Sequence, residues 1–210
     1  MAAAAKHREA IVEAAVALFR RRGYAATGLN EILARSGAPK GSLYHYFPNG
    51  KAQLGREAVV KAGAVVTSTL TRLAADAPTA AAAVGDYLRL LASWLEQSDW
   101  RDGSPITTTL LEAAAYDTAI RLAGCEAFDA WSGVIADLLM RQGVERGRAR
   151  DLANFAVAAM EGALVQAKVR RDAGPLVRAA EEIARLFERE VRTSLGTDTF
   201  SREGRRDTSR

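Results

Sequence analysis

Hydrophobic positions recur at helical spacing along almost the whole chain. Near the N-terminus, Ile11, Ala15, Leu18 and Phe19 lie on one helical face, which predicts a helix from His7 to Arg22. The same periodicity predicts further helices over residues 51–75, 79–98, 105–116, 118–142, 145–172 and 176–194. Because no segment shows the two-residue alternation of a strand, the sequence predicts an all-α fold.

A pair of shorter helices is predicted after the first long one. Residues 27–37 have the pattern of a helix with Thr27 or Gly28 as N-cap, and Gly37 can take the left-handed conformation that closes a helix. The next helix begins at Pro39, because proline suits a first helical turn. Two short helices joined by a glycine-containing turn predict a helix-turn-helix.

The second short helix has few apolar residues, with only Leu43 and Phe47 sharing one side. Its other faces carry donors and aromatic rings, which suit phosphate oxygens and base edges and therefore predict a recognition helix. The side chains placed for phosphate contact are Lys40, Tyr44 and Thr27. Those placed for base edges or nearby phosphates are Ser42 and His45.

Residues 11–54 resemble the N-terminal domain of TetR-type transcriptional regulators. The matching residues are Leu18-Phe19, Gly23-Tyr24, Thr27, Ile32, Ser36-Gly37, Lys40-Gly41, Leu43-Tyr44, Tyr46-Phe47 and Lys51. Residues 37–48 are similar to the LmrA/YxaF subgroup in particular. The resemblance implies a DNA-binding domain over residues 1–50, with Gly41 and Lys51 added to the DNA-contacting set, and a helical ligand-binding and dimerisation domain over residues 51–195.

Three positions depart from the commoner family pattern. Gly28 stands where a hydroxyl often caps the second helix, so Thr27 is the alternative cap. Ala38-Pro39 removes a capping hydroxyl from the third helix. Pro48-Asn49-Gly50 adds a residue before Lys51, which leaves open whether that lysine reaches a phosphate.

Charge is concentrated in the helix-turn-helix region. Residues 1–60 carry nine Lys or Arg and four Glu, a net charge of +5 (nine minus four), whereas the whole chain has +4. The remainder therefore carries −1. A basic head is what binding to a phosphate backbone requires, although basic surfaces also occur in proteins that bind no nucleic acid.

Large aromatic and apolar side chains in the C-terminal part suggest a cavity for a flat apolar ligand, as members of the resembled family use to sense small molecules. The expected pocket residues are Tyr87, Trp94, Leu111, Glu112, Phe128, Trp131 and Met160. The alternative is that most of them form ordinary core, and that the glutamate faces solvent.

Small side chains on the last two long helices predict close approach of another helix. The residues expected in a two-fold dimer interface are Phe155, Ala159, Gly162, Ala163, Ala180, Ile183 and Phe187. Packing within one chain is the alternative. A dimer is favoured because one short recognition helix binds weakly, whereas a dimer reads two half-sites.

Enzyme chemistry has little support in the sequence. The two histidines lie in the predicted DNA-binding region, Cys125 has no histidine nearby, and we expect no catalytic residues, no metal site and no cofactor. The single cysteine fits a reducing compartment, and no stretch reaches the ~18 uninterrupted apolar residues of a membrane span. We expect a cytoplasmic protein. The polar segment 196–210 predicts a disordered tail.

Together with these observations, the TetR resemblance implies a ligand-responsive repressor that binds a palindromic operator as a homodimer and is released by a small aromatic or apolar inducer. One alternative keeps DNA binding but is ligand-independent or activating. The other is a helical small-molecule binding or protein-interaction module without operator binding.

Overall fold

The computed structural model describes the backbone of residues 2–203 and the side chains of residues 6–196. Within this range the chain forms helices only, so the all-α prediction is confirmed. The helices are α1 (Ala2–Arg22), α2 (Leu29–Ser36), α3 (Ser42–Tyr46), α4 (Gly50–Asp76), α5 (Ala80–Gln97), α6 (Pro105–Ala113), α7 (Thr118–Arg141), α8 (Arg146–Arg170) and α9 (Gly174–Glu203).

The predicted helix starts hold best where a side chain caps the helix. The Thr79 hydroxyl accepts the Ala82 N–H at 3.1 Å before α5. The Ser104 hydroxyl accepts the Thr107 N–H at 3.1 Å before α6. Each bond satisfies an amide that would otherwise have no partner in the first helical turn.

The first short helix begins at one of its two predicted caps, whereas the second begins later than the sequence pattern predicts. The Ser42 N–H donates to the Pro39 carbonyl at 2.9 Å, so Pro39 lies in a turn and α3 starts three residues after it. Gly28 is the N-cap of α2, in an extended conformation (φ −88°, ψ 151°) and without a side-chain cap. The alternative cap, Thr27, is therefore not used.

The C-terminal end differs from the expected disordered tail. Helix α9 continues through residues 196–203, because each further residue adds one backbone hydrogen bond to a helix already formed. Residues 204–210 of the predicted tail lie outside the described part of the chain.

The chain folds into two compact units, whose boundaries are not those of the predicted domains. The first unit holds the described residues up to Ser68, together with Trp94–Asp129 and Lys168–Arg171. The second holds Thr69–Ser93, Ala130–Ala167 and the described residues from Asp172 onward. The helix-turn-helix therefore shares its unit with the first part of α4 and with α6.

The core of the first unit fixes the helix-turn-helix. Four helices and the C-cap of α3 contribute to this core, and each of the central side chains is at most 2% exposed. These side chains are Phe19 of α1, Ile32 of α2, Leu43 of α3, the C-cap Phe47 and Leu54 of α4. Burying a side chain of this size contributes about 1.5–3 kcal/mol, so the cluster determines how α1, α2, α3 and α4 pack. In the second unit, a separate core includes Leu88, Trp131, Ile135, Met160 and Phe187.

Helix α4 is long and apolar enough to meet the length and composition criteria for a membrane span, and 33% of that apolar window is buried. Leu54 and Ala58 of this helix belong to the helix-turn-helix core. Core helices of water-soluble proteins pass the same test, so we interpret α4 as a packed helix.

Candidate nucleic-acid interface

The turn between α2 and α3 is held by local hydrogen bonds. Gly37 takes the left-handed conformation (φ 66°) that ends α2, as the sequence predicts. The Ser36 hydroxyl donates to the Leu33 carbonyl at 2.8 Å and accepts the Ala38 N–H at 3.2 Å. The chain therefore leaves α2 in one defined direction and places α3 against the same core.

Helix α3 presents its polar side chains outward. Leu43 points into the core, and at about 100° per residue His45 lies roughly 160° away from it on the helix surface. His45 is exposed. Tyr44 and Ser42 lie on opposite flanks, each about 100° from Leu43; the Tyr44 side chain is 67% exposed and Ser42 is half-buried. Lys40 and Gly41 are exposed in the turn before the helix.

Thr27 does not share this surface. It is 1% exposed, and its hydroxyl donates to the Gly23 carbonyl at 2.8 Å. A buried hydroxyl that already donates within the chain is not available to a phosphate. The Thr27 side chain therefore does not belong to the outward face of α3 where its phosphate contact was expected, and it fixes the turn between α1 and α2.

Lys51 is also engaged within the chain. Its Nζ donates to the Ala25 carbonyl at 3.0 Å and lies 4.7 Å from the centroid of the Tyr24 ring. Burial lowers the pKa of Lys51, and the nearby Glu112 carboxylate acts in the opposite direction. These contacts hold the residues that precede α2. They give Lys51 a structural role within the chain, which differs from the expected contact with a phosphate.

Glu112 lies beside the same turn, a position that no local sequence pattern indicates. Its Oε2 accepts the Ala25 N–H at 2.5 Å. A Cβ added to Gly23, which has φ 87°, would lie 3.0 Å from Glu112 Oε1. The left-handed backbone conformation therefore favours glycine here, and an added Cβ would also displace the Glu112 carboxylate slightly.

The N-terminal half of α6 is attached to the end of α1 in the same unit. The Gly103 N–H donates to the Arg20 carbonyl at 3.0 Å. The Thr108 hydroxyl lies 3.3 Å from the Phe19 carbonyl and 3.0 Å from the Ser104 carbonyl, so it contacts the end of α1 while its nearer acceptor is in its own helix. Arg20 also pairs with Asp102 at 3.1 Å. Together with the Glu112 contact, these bonds fasten α6 along the segment that leads into α2.

Several basic side chains of the head are paired with carboxylates. The pairs are Arg8–Glu57, Arg20–Asp102, Arg22–Glu31, Lys61–Glu9 and Lys61–Glu13. Within the described part of the head, the exposed basic residues without an ion pair are Lys6, Arg21, Arg35, Lys40 and Arg56. The positive charge that remains available to a phosphate backbone therefore includes Lys40, next to α3.

Family comparisons agree with this architecture. Residues 11–58 match the model of bacterial regulatory proteins of the tetR family, and residues 80–182 match that of the C-terminal domain of LmrA/YxaF-like transcriptional regulators. The HTH-type transcriptional regulator YxaF of Bacillus subtilis is 34% identical, over 84% of this chain and 92% of the relative. The chain belongs to the TetR family.

Other relatives of this TetR-family regulator give the same result. LmrA of Bacillus subtilis is 31% identical, over 87% of this chain and 97% of the relative. A TetR regulator structure from Chloroflexus aurantiacus is 27% identical with a TM-score of 0.73, covering 90% of this chain and 98% of that one. These proteins are transcriptional regulators and not enzymes, so the same class holds for this chain.

The expected pocket residues of the regulator fall into different environments. In the second unit, Tyr87, Trp131 and Met160 are at most 3% exposed, and burial raises the pKa of the Tyr87 hydroxyl, with a smaller contribution from Glu161. In the first unit, Leu111 is 81% exposed and Trp94 is 41% exposed. The remaining two, Phe128 and Glu112, are half-buried and exposed, respectively.

The expected dimer residues of the regulator also divide into two groups. Ala163, Ile183 and Phe187 are at most 6% exposed within the single chain, so their side chains contribute to its own core. On α8, Phe155 is 55% exposed, and an added Cβ on Gly162 would meet nothing within 4 Å. Ala159 and Ala180 are half-buried.

Cys125 lies exposed on α7. Among the described residues, no group of three or more His, Cys, Asp or Glu side chains is placed to hold a metal ion.

Proposed function

We propose that this TetR-family regulator is a ligand-responsive repressor, which binds a palindromic operator as a dimer. The observation that carries the proposal is the outward surface of the helix-turn-helix, where Lys40 in the turn before α3 and Tyr44 and His45 on α3 are exposed. Donors of this kind suit the major groove, which admits one α-helix and displays a distinct pattern for each base pair.

Roles within this face follow from its geometry. His45 points away from the core, and Ser42 lies on the flank opposite Tyr44; both are assigned to base edges or the phosphates beside them. Lys40 and Tyr44 flank them and are assigned to the phosphate backbone, where they set register and affinity. In a dimer, two such helices would lie about 34 Å apart to enter successive major grooves on one side of the duplex.

A shared fold supports double-stranded DNA as the partner. The TetR-family regulator CifR, which is 23% identical with a TM-score of 0.69, has been solved in complex with a 26-base-pair operator. The exposed positions of α8 support a helical dimer contact, because Phe155 and Gly162 leave this face open in the single chain. Such a DNA-binding protein would act in the cytoplasm.

Regulation would come from an apolar or aromatic inducer bound in the C-terminal domain. To repress and release, the inducer must bind the DNA-incompetent conformation more tightly than the competent one. A tenfold loss of operator affinity needs about 1.4 kcal/mol of such coupling. The buried residues Tyr87, Trp131 and Met160 are where we expect the ligand to be sensed, with the Tyr87 hydroxyl and the nearby Glu161 as polar groups.

Selection from a random duplex library at low salt tests the proposal directly. The expected result is enrichment of a palindrome whose affinity falls steeply with salt, since each phosphate contact releases counterions. Lys40→Ala and Tyr44→Ala should weaken binding to all sequences, whereas Ser42→Ala and His45→Ala should change the enriched sequence. A library that yields no palindrome would contradict the repressor function.

A further inference from the structure

A groove of about 580 Å³ lies between α2 and α3 in the DNA-binding head. Its floor is apolar, formed by Leu29, Leu33 and Leu43. Three polar residues line it. Asn30 lies in the first turn of α2, Lys40 in the turn before α3, and Tyr44 on α3 itself. The two residues already assigned to phosphate therefore share one groove with an asparagine that the sequence pattern did not single out.

We infer that Asn30 and Lys40 together hold one phosphate of the operator backbone in this groove, an inference that rests on the proposed function. Lys40 supplies the positive charge, and the Asn30 amide supplies neutral donors in a defined direction. Asn30 is exposed, and its side chain makes no hydrogen bond within the described part of the chain. Lys40 has no ion pair there either, so both groups are free to accept a ligand.

The groove and the base-reading face are formed by different sides of α3. Tyr44 lies about 100° from Leu43 around the helix, and it turns toward α2, whereas His45 lies roughly 160° from Leu43. Ser42 and His45 are not among the residues that line the groove. When the outward face of α3 enters the major groove, the α2 side meets the sugar-phosphate wall, which the first helix of a helix-turn-helix crosses.

The chemistry of the pair predicts different salt behaviour for its two members. Removing Lys40 removes one cation per half-site, so the slope of log K against log salt should fall by about 1.8 for a dimer. Removing Asn30 removes a neutral donor, so the slope should stay unchanged while affinity falls by about tenfold per half-site. A dimer on two half-sites should lose on the order of 100-fold.

Three variants test the assignment on the palindrome selected with the wild-type protein: Asn30→Ala, Asn30→Asp and Thr118→Asp. The aspartate at position 30 is nearly isosteric with asparagine and lies in the first turn of α2, where the helix dipole favours a negative charge. It should therefore keep or raise the melting temperature while it abolishes binding. Thr118 is exposed at the first position of α7, so Thr118→Asp is a matched control with the same charge change and should bind within twofold of wild type.

Operators with single phosphates replaced by neutral methylphosphonates locate the contact. The wild type should lose affinity at each phosphate that it contacts. At one phosphate per half-site, Asn30→Ala should lose less affinity than the wild type does, because only the Lys40 contact is left there. If Asn30→Ala binds like wild type, the groove assignment is wrong although the repressor function stands. If Asn30→Ala instead enriches a different palindrome, Asn30 reads a base and the phosphate assignment is overturned. Failure of the wild type to bind any palindrome would reject the proposed function itself.

Discussion

Removal of the Glu112 carboxylate is expected to loosen the turn that leads into the helix-turn-helix. Glu112 accepts the Ala25 N–H at 2.5 Å, and this bond joins α6 to the residues before α2. A hydrogen bond to a charged group contributes about 1.5–3 kcal/mol. Because Glu112 is solvent-exposed, we reduce this to about 1 kcal/mol for Glu112→Ala.

Thermal unfolding measures this loss. For a chain of this size, about 1 kcal/mol corresponds to a decrease of roughly 2–4 °C in Tm. Glu112→Gln keeps an acceptor oxygen and should lose less than Glu112→Ala. Two helix effects act against the loss of stability expected for Glu112→Ala. Alanine is the better helix former, and removing a carboxylate near the C-terminal end of α6 relieves an unfavourable interaction with the helix dipole.

Glu126→Ala is the matched control, because Glu126 is an exposed glutamate on α7 of the same unit. It should leave Tm unchanged or raise it slightly. If Glu112→Ala and Glu126→Ala both have the Tm of the wild type, the Ala25 contact contributes nothing to stability and the reasoning fails. A role in ligand binding alone would instead change inducer affinity with no change in Tm.

Three further predictions concern assembly, backbone strain and pH. Gly162→Arg should make the protein monomeric in sedimentation at micromolar concentration, because a large unpaired charge would enter the proposed dimer face. Gly23→Ala should lower stability by roughly 1–3 kcal/mol, since φ is 87° and the new Cβ would lie 3.0 Å from a carboxylate oxygen, whereas Gly28→Ala meets no atom within 4 Å. Lys61→Met should lower Tm at neutral pH. The hydrogen bond from Lys61 lowers the pKa of Glu9 below 4.5, so the stability it provides exists above pH 4.5 and is lost as the pH falls through the lower folded-state pKa.

Each of these has a result that would contradict it. A dimeric Gly162→Arg protein would move the interface away from this face of α8. Equal chemical-denaturation midpoints for Gly23→Ala and Gly28→Ala would show that the turn tolerates a side chain. A Tm difference between Lys61→Met and wild type that stays constant from pH 7 to pH 3 would exclude the Glu9 ion pair as its source.

Much of the fold follows from local sequence patterns. Helical periodicity predicts every long helix, and Thr79 and Ser104 mark two helix starts because a capping hydroxyl acts within a few residues of its partner. The helix-turn-helix is equally local, since Gly37 and the apolar pair Leu43 and Phe47 suffice to define it. Exposed side chains on α3 were predictable for the same reason.

What the sequence left open depends on contacts between distant segments. Thr27 looked like a cap or a phosphate contact, yet burial directs its hydroxyl to the Gly23 carbonyl. Glu112 lies 87 residues from the amide it binds, and Lys51 lies 26 residues from the carbonyl it binds, so no local spacing reveals either bond. Asn30 became a candidate contact only when α2 and α3 were packed side by side. Residue type and periodicity determine which helices form, whereas the packing of those helices decides which polar groups are already satisfied and which remain free for DNA.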